Sequence, residues 1–219
     1  MESLIEKVTL LRDRCRDYGD RLGKLLAVST DASDPRVGCF AMVFNHSTLA
    51  LELLSYYRRI WQRPRGHSTA DEIEQARMEN WQRCNELCKG LFVMSMSSIE
   101  YSTKASIAYY GDGHLALRLV KKKGRFLYLS HIMTNSEREG LVHASAKLDW
   151  DRLIDIRNCV VHNNAIADQT EDYVIGGINV VTTKGKMLQG KLDFFATLTE
   201  VAVDLYFEWI TALVQRSKA

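Results

Sequence analysis

The sequence predicts a mainly α-helical protein, a helical bundle with a small β-hairpin inserted before its last helix, and three observations carry that expectation. Apolar residues recur at three- and four-residue steps over long stretches at both ends of the chain. Of the 219 residues only two are proline and thirteen glycine, while 46% are hydrophobic and 26% charged, a composition that suits globular helical structure. One segment in the C-terminal third is instead rich in Val, Ile and Thr, the types that favour strands. The length allows one large domain or two small ones, each able to bury a core without disulfide staples. We read it as a single domain over residues 1–219.

Leu4, Val8, Leu11, Cys15, Tyr18, Leu22, Leu25 and Leu26 mark a first amphipathic helix, ended by the run STDASDP. A second helix is expected from Val37 to about Gln62, apolar nearly all round at first and then striped at Leu49, Leu53, Tyr56, Tyr57 and Ile60. Pro64 and Gly66 break the pattern, after which Ser68 or Thr69 can cap a third helix whose first turn carries Asp71 and Glu72. That helix is expected to reach about Ala108. Between Asp112 and His131, two β-leaning pieces surround the text KKKG, which favours a hairpin or irregular structure over a continued helix. Asp149 is placed as the cap of a short helix, WDRLIDIRNCVVHN, that stops at Asn163 and Asn164. The text YVIGGINVVTTKGKMLQG reads as a β-hairpin turning at Lys184, Gly185 and Lys186. A last amphipathic helix runs from Leu192 to about Val214 through Phe195, Leu198, Val201, Ala202, Leu205, Trp209 and Leu213.

The helix from Asp149 departs from its own pattern. On a wheel of 100° per residue, Leu153, Ile154, Val160 and Val161 fall within about 80° of Trp150 and form the expected buried face. Arg157 falls about 20° from Trp150, where an apolar residue belongs. An unpaired buried guanidinium costs several kcal/mol, so it needs a carboxylate, a subunit boundary or a ligand anion. Glu100, one of two charges in GLFVMSMSSIEYSTKASIA, is the obvious carboxylate, although Lys104 lies four residues from it and is an equally good partner. Asn158 and His162 are four apart and share a flank well round from Arg157. Two readings stay open: a structural ion pair with a helix-end histidine that favours the macrodipole, or a working pair over one cleft.

The text IDIRNCVVHNN resembles the motif of the HEPN superfamily, all-helical domains marked by an arginine, a polar neighbour and a histidine after a short gap. Arg157, Asn158 and His162 match it. The surrounding context, a long helix with an embedded acid before and a β-like insertion with a terminal helix after, covers about residues 68–216. Residues 1–66 are either an accessory helical hairpin or part of the bundle. The resemblance implies a metal-independent endoribonuclease, often a toxin or antiviral effector under the control of an antitoxin or regulator. Its cleft forms where two protomers join their motifs. Such cleavage uses the RNA 2′-hydroxyl as nucleophile, so DNA should resist. His162 would transfer protons, Arg157 would hold the phosphate through its fork of donors, Asn158 would orient the histidine or a phosphate oxygen, and Glu100 would be a positioning acid. The family also contains silent members, so the alternative is a helical interaction or regulatory module that dimerises or binds a partner without cleaving.

A net charge of +2 is too small to announce a nucleic-acid binder, so any RNA contact must be local. Two candidate rims exist. Lys121, Lys122, Lys123 and Arg125 form one, and Arg58, Arg59, Arg63 and Arg65, interleaved with Tyr56, Tyr57 and Trp61, form the other, with the basic and aromatic character that suits single strands. Solvated surface is the plain alternative for both. Cys84 and Cys88 lack the further ligands a zinc site needs, and Cys159 is read as a bystander to the motif. His114, His131 and His143 are read as surface residues. Neither GxxxxGK[ST] nor GxGxxG occurs, and no cofactor is expected. Five scattered cysteines, a mixed-charge N-terminus and no stretch of about 18 uninterrupted apolar residues lead us to expect a cytoplasmic protein without a membrane partner.

Overall fold

The computed structural model describes residues 1–27, 34–62, 69–111, 113–121, 126–188 and 190–217. Four long helices make the body: α1 (Glu2–Leu26), α2 (Pro35–Trp61), α3 (Ala70–Tyr109) and α7 (Phe194–Ser217). Between α3 and α7 come α4 (His114–Leu119), α5 (Leu129–Arg138), α6 (Ala144–His162) and a hairpin of β1 (Glu171–Ile175) and β2 (Ile178–Thr182). The protein is therefore mainly α with one antiparallel hairpin before the last helix.

Local chemistry fixes the ends of the long helices. Asp34 caps α2 by accepting from the Arg36 amide at 2.9 Å, with Pro35 in the first turn. Thr69 and Glu72 form a reciprocal capping box at the start of α3. α1 runs antiparallel to α2, since Glu2 pairs with Arg58 at the far end of α2, and α2 antiparallel to α3, since Ser106 donates to the carbonyl of Pro35. α7 instead runs parallel to both α1 and α3: Lys7 pairs with Glu200 and Tyr18 stacks on Phe207, while Phe92 lies beside Phe195. A parallel fourth helix obliges the chain to return the length of the bundle first. α6 makes that return, antiparallel to α3, so that Arg157 comes level with Glu100.

One continuous apolar cluster runs from Leu4 to Val214, with Trp150, Trp209, Tyr206, Phe40, Phe92 and Phe195 its largest fully buried side chains. Residues of α1 and α2 are built into that cluster. The helix Pro35–Trp61 is long and apolar enough to cross a membrane, yet half of that stretch is buried in the fold, with Phe40, Val43, Ala50 and Leu54 in the core.

Four expectations are corrected. Residues 114–119 and 129–138 are helices, not strands of a hairpin. Burial of Ala116 and Leu119, and of Ile132 and Met133, at helical spacing outweighs their β propensity. Asn135 holds the join by donating to the carbonyls of Leu119 and Lys121 at 2.9 and 2.7 Å. α6 starts at Ala144, not at Asp149, which lies inside it and accepts from the amide of Gly176 at 3.4 Å. The hairpin turns at Gly176 and Gly177, whose φ values of 51° and 84° make the two-residue loop that matches strand twist. Lys184–Lys186 form a second turn at its base, around Gly185 at φ 75°. Finally, the buried stripe of α6 is Trp150, Leu153 and Ile156, while Val161 is 44% exposed. The arc is thus rotated away from Arg157, which sits on its edge rather than at its centre.

Candidate functional site

Three consequences of that rotation shape the motif. Arg157 keeps 28% of its side chain exposed and reaches toward α3, where Glu100 stands 4.0 Å from Nη2. Its Nη1 donates to Asn158 Oδ1 at 3.1 Å. Glu100 has a nearer partner, Lys104 Nζ at 2.6 Å. The carboxylate therefore answers to both cations, with lysine as the tight pair and arginine at the outer limit. Among the described residues Arg157 makes no other polar contact, so most of the five donors of its guanidinium are uncommitted. It lines a cavity of about 100 Å³ with Met96, Glu100, Tyr128, Leu129, Ser130, Ile154 and Asn158.

His162 is exposed at the C-terminal end of α6, where Asn164 and Ala165, at φ 51° and 63°, stop the helix. It opens onto a different groove, of about 430 Å³, between α6 and the hairpin. Asn158 belongs to both spaces, and Arg157 and His162 do not meet within one chain. The groove holds three carboxylates, Asp155, Asp168 and Glu171. Burial, reinforced by the charges of Asp151 and Glu171, raises the Asp155 carboxyl above the usual carboxylate range. Asp168 accepts two bonds from Asn163 Nδ2, each 2.8 Å, which ties the helix end to the groove floor. Arg152 closes the other end of the hairpin by donating to the Val174 carbonyl at 2.5 Å and lying 4.8 Å over the Tyr173 ring.

Cys159 also lines the groove, and its thiol donates to the Ile166 carbonyl at 3.1 Å. Burial and Asp168 raise its pKa, which keeps it a thiol and suits the bystander role. Cys84 and Cys88 are buried in the core, and burial pushes the Cys88 thiol up to about 12. His114 and His143 are exposed, while His131 is half-buried, accepting from the Tyr128 amide at 3.3 Å.

The two basic rims are not equivalent. Arg58 pairs with Glu2 at 3.0 Å and Arg59 is exposed, both at the end of α2, where Tyr57 faces Arg83 and Glu86 of α3. From Glu86 to Glu100 α3 rises by about 20 Å, so this cluster stands well away from Arg157. Arg63 and Arg65 lie outside the described residues. Lys121 is exposed and precedes α5, its carbonyl accepting from Asn135, while Lys122, Lys123 and Arg125 lie outside the described residues. The residues that the sequence alone does not single out are the carboxylates of the groove and Tyr128 and Ser130 at the Arg157 cavity. For Tyr128 and Ser130 the signal is the aromatic text RFLYLS, which reads as strand.

Comparison of the chain with protein-family models, with curated proteins and with solved structures found no match. The functional reading rests on the residues themselves.

Proposed function

We propose that the protein is a metal-independent endoribonuclease, in keeping with the HEPN resemblance, and that its working cleft forms between two copies of the chain. The observation that carries this reading is the placement of Arg157 and His162. One offers an underused guanidinium at the wall of a small cavity and the other an exposed imidazole at the helix end, on opposite sides of Asn158. Within one chain the two line separate spaces that share Asn158. Two α6 helices related by a two-fold axis can bring an arginine from one and a histidine from the other to the same phosphate.

In that cleft one His162 removes the proton of the 2′-hydroxyl. The oxygen attacks phosphorus, the bond to the 5′-oxygen breaks, and the other His162 protonates the departing oxygen, leaving a 2′,3′-cyclic phosphate. Arg157 binds the phosphate and stabilises the charge that builds on it. Asn158 orients the guanidinium, and Glu100, tethered by Lys104, positions it. Exposed Val161, Ile166 and Met187 beside the motif supply apolar surface for the contact between copies. We place the activity in the cytoplasm, where five free cysteines stay reduced. A toxin or antiviral effector role, restrained by an antitoxin or regulator, fits such an activity.

A second reading is favoured by one observation. Asp155, Asp168 and Glu171 line the same groove as His162 and would repel a phosphate backbone, which suits a silent module that binds a protein partner. Incubation with a mixed RNA pool in EDTA, beside His162→Ala and Arg157→Ala, decides between them. Cleavage by the parent alone, with cyclic phosphate ends, is the expected outcome. No cleavage by a folded, dimeric parent would leave the silent module.

A further inference from the structure

We propose that Asp168 and Asn163 form a clasp that fixes the end of α6 and so positions the His162 imidazole in its groove. The inference rests on the ribonuclease reading above and adds two positioning residues to it.

His162 is the last residue of α6, and the last turn of a helix frays because its carbonyls lack partners. An imidazole carried there wanders unless the turn is tied down. Here it is tied. The Cys159 carbonyl accepts from the amides of both Asn163 and Ala165, each at 3.0 Å. The chain then reverses through Asn164 and Ala165, at φ 51° and 63°, a conformation that an alanine holds only where its surroundings impose it. Across the reversal, Asn163 donates through Nδ2 to both carboxylate oxygens of Asp168, each at 2.8 Å.

Asp168 is a firm anchor because the residues before it are laced to a second strip of chain. Leu188 donates to the Ala165 carbonyl at 2.7 Å, Ala167 to that of Lys186 at 2.9 Å and Gly185 to that of Ala167 at 2.8 Å, and Ile166 bridges Met187. Ala165, Ala167 and Leu188 are buried there. Fixity therefore passes from this strip to Asp168, from Asp168 to Asn163, and from Asn163 to the adjacent His162. All three side chains line one groove. Among the described residues the Asp168 carboxylate makes no other hydrogen bond or ion pair, so it serves this bond alone. Arg157 lines a separate cavity, which leaves phosphate binding intact when the clasp is cut. The clasp therefore governs proton transfer rather than affinity.

The test reads the imidazole directly. The full-length protein is labelled with histidine carrying carbon-13 at Cε1, and the His162 signal is the one of six that vanishes in His162→Ala. Its transverse relaxation rate in the parent should match that of the half-buried His131. In Asp168→Ala and in Asn163→Ala it should fall by about a third, the ratio of order parameters of ~0.85 for a fixed group and ~0.6 for a loose one. The double variant should be no looser than either single one, since each removes the same bond. Glu171→Gln changes the charge of the groove, leaves the clasp whole and should keep the parental rate. Thermal melts check folding, and the two alanine variants probe the bond from opposite sides should one of them fail to fold. An unchanged His162 rate in the folded alanine variants overturns the clasp, as does an equal response to Glu171→Gln. RNA cleavage supplies a second readout: kcat should fall about tenfold or more with KM within about twofold of the parent. Failure of the ribonuclease reading is separable. An imidazole that loosens when the clasp is cut, in a protein that leaves RNA intact, keeps the clasp and removes the cleavage, whereas cleavage at the parental kcat in both alanine variants does the reverse.

Discussion

Asp155 is held in a groove with Glu171 and near Asp151, and its carboxyl is raised by burial and by those charges. A carboxyl whose folded pKa exceeds its unfolded one binds protons more tightly in the native state. Its contribution to stability is complete below the unfolded value near 4 and is lost as pH rises through the folded value. Asp155→Asn should therefore raise the urea midpoint at pH 7 and narrow its advantage toward pH 4. A midpoint that falls at pH 7 would show that Asp155 is needed as an anion. The corrected buried face of α6 gives a second residue-scale expectation. Ile156→Ala removes a side chain that is 2% exposed and should cost about 2–5 kcal/mol, whereas Val161→Ala, at 44% exposure, should cost under about 1 kcal/mol. Denaturant melts of the two settle it, since the wheel centred on Trp150 ranks them the other way round. The sequence singles out Arg157, Asn158 and His162 by residue type and spacing. Which cavity each of them faces is not legible there, because the rotation of the helix is set by packing against α3 and the hairpin, and spacing holds no record of it.

The start of α3 is read well because Thr69 caps it through a local bond, whereas α2 starts at Pro35 under the cap Asp34, two residues ahead of the expected Val37. α6 starts five residues ahead of its expected cap because its opening residues lack one: His143 caps without a side-chain bond. The hairpin turn is misplaced for a related reason. Two glycine sites, Gly176–Gly177 and Gly185, both satisfy the positive φ that a turn requires, and only the register, with Ile175 opposite Ile178, distinguishes them. That register yields an element-scale prediction. A Cβ on Gly177 meets nothing within 4 Å, whereas one on Gly176 would stand 2.6 Å from a methyl of Val201 on α7. Gly177→Ala bears only the left-handed strain, about 1–2 kcal/mol. Gly176→Ala adds the collision and should destabilise more, with faster amide exchange in residues 171–182. Equal melting shifts for the two would mean that the hairpin does not rest on α7.

At the scale of the whole molecule, α7 lying parallel to α1 and α3 forces a long return, and that return carries the candidate site apart from the residues that α3 supplies, Met96 and Glu100. No local pattern encodes such a choice, because helices of the same amphipathic design pack equally well up or down. The return also leaves its outer surface incompletely covered. A groove of about 490 Å³ between α3 and the end of α6 is lined by apolar residues, among them Val93, Val160, Val161 and Met187, together with Glu86, Lys89 and Asn164, directly beside His162. If two copies close over this groove, one buried negative charge at its rim should part them. Met187 suits the test because it is 52% exposed and joins the ladder only through its backbone bridge to Ile166, so Met187→Glu leaves the fold intact. Sedimentation velocity should show self-association weakened by at least about tenfold, or ~1.4 kcal/mol, with an unaltered far-UV spectrum. RNA cleavage should fall with the dimer, because each copy alone directs Arg157 and His162 into separate spaces. A monomeric Met187→Glu that still cuts RNA at the parental rate would mean that a single chain can bring the two residues to one phosphate. A variant that remains dimeric would move the contact to another face, with the exposed Met94 and Tyr101 of α3, seven residues apart and so on one side of the helix, as the surface to charge next.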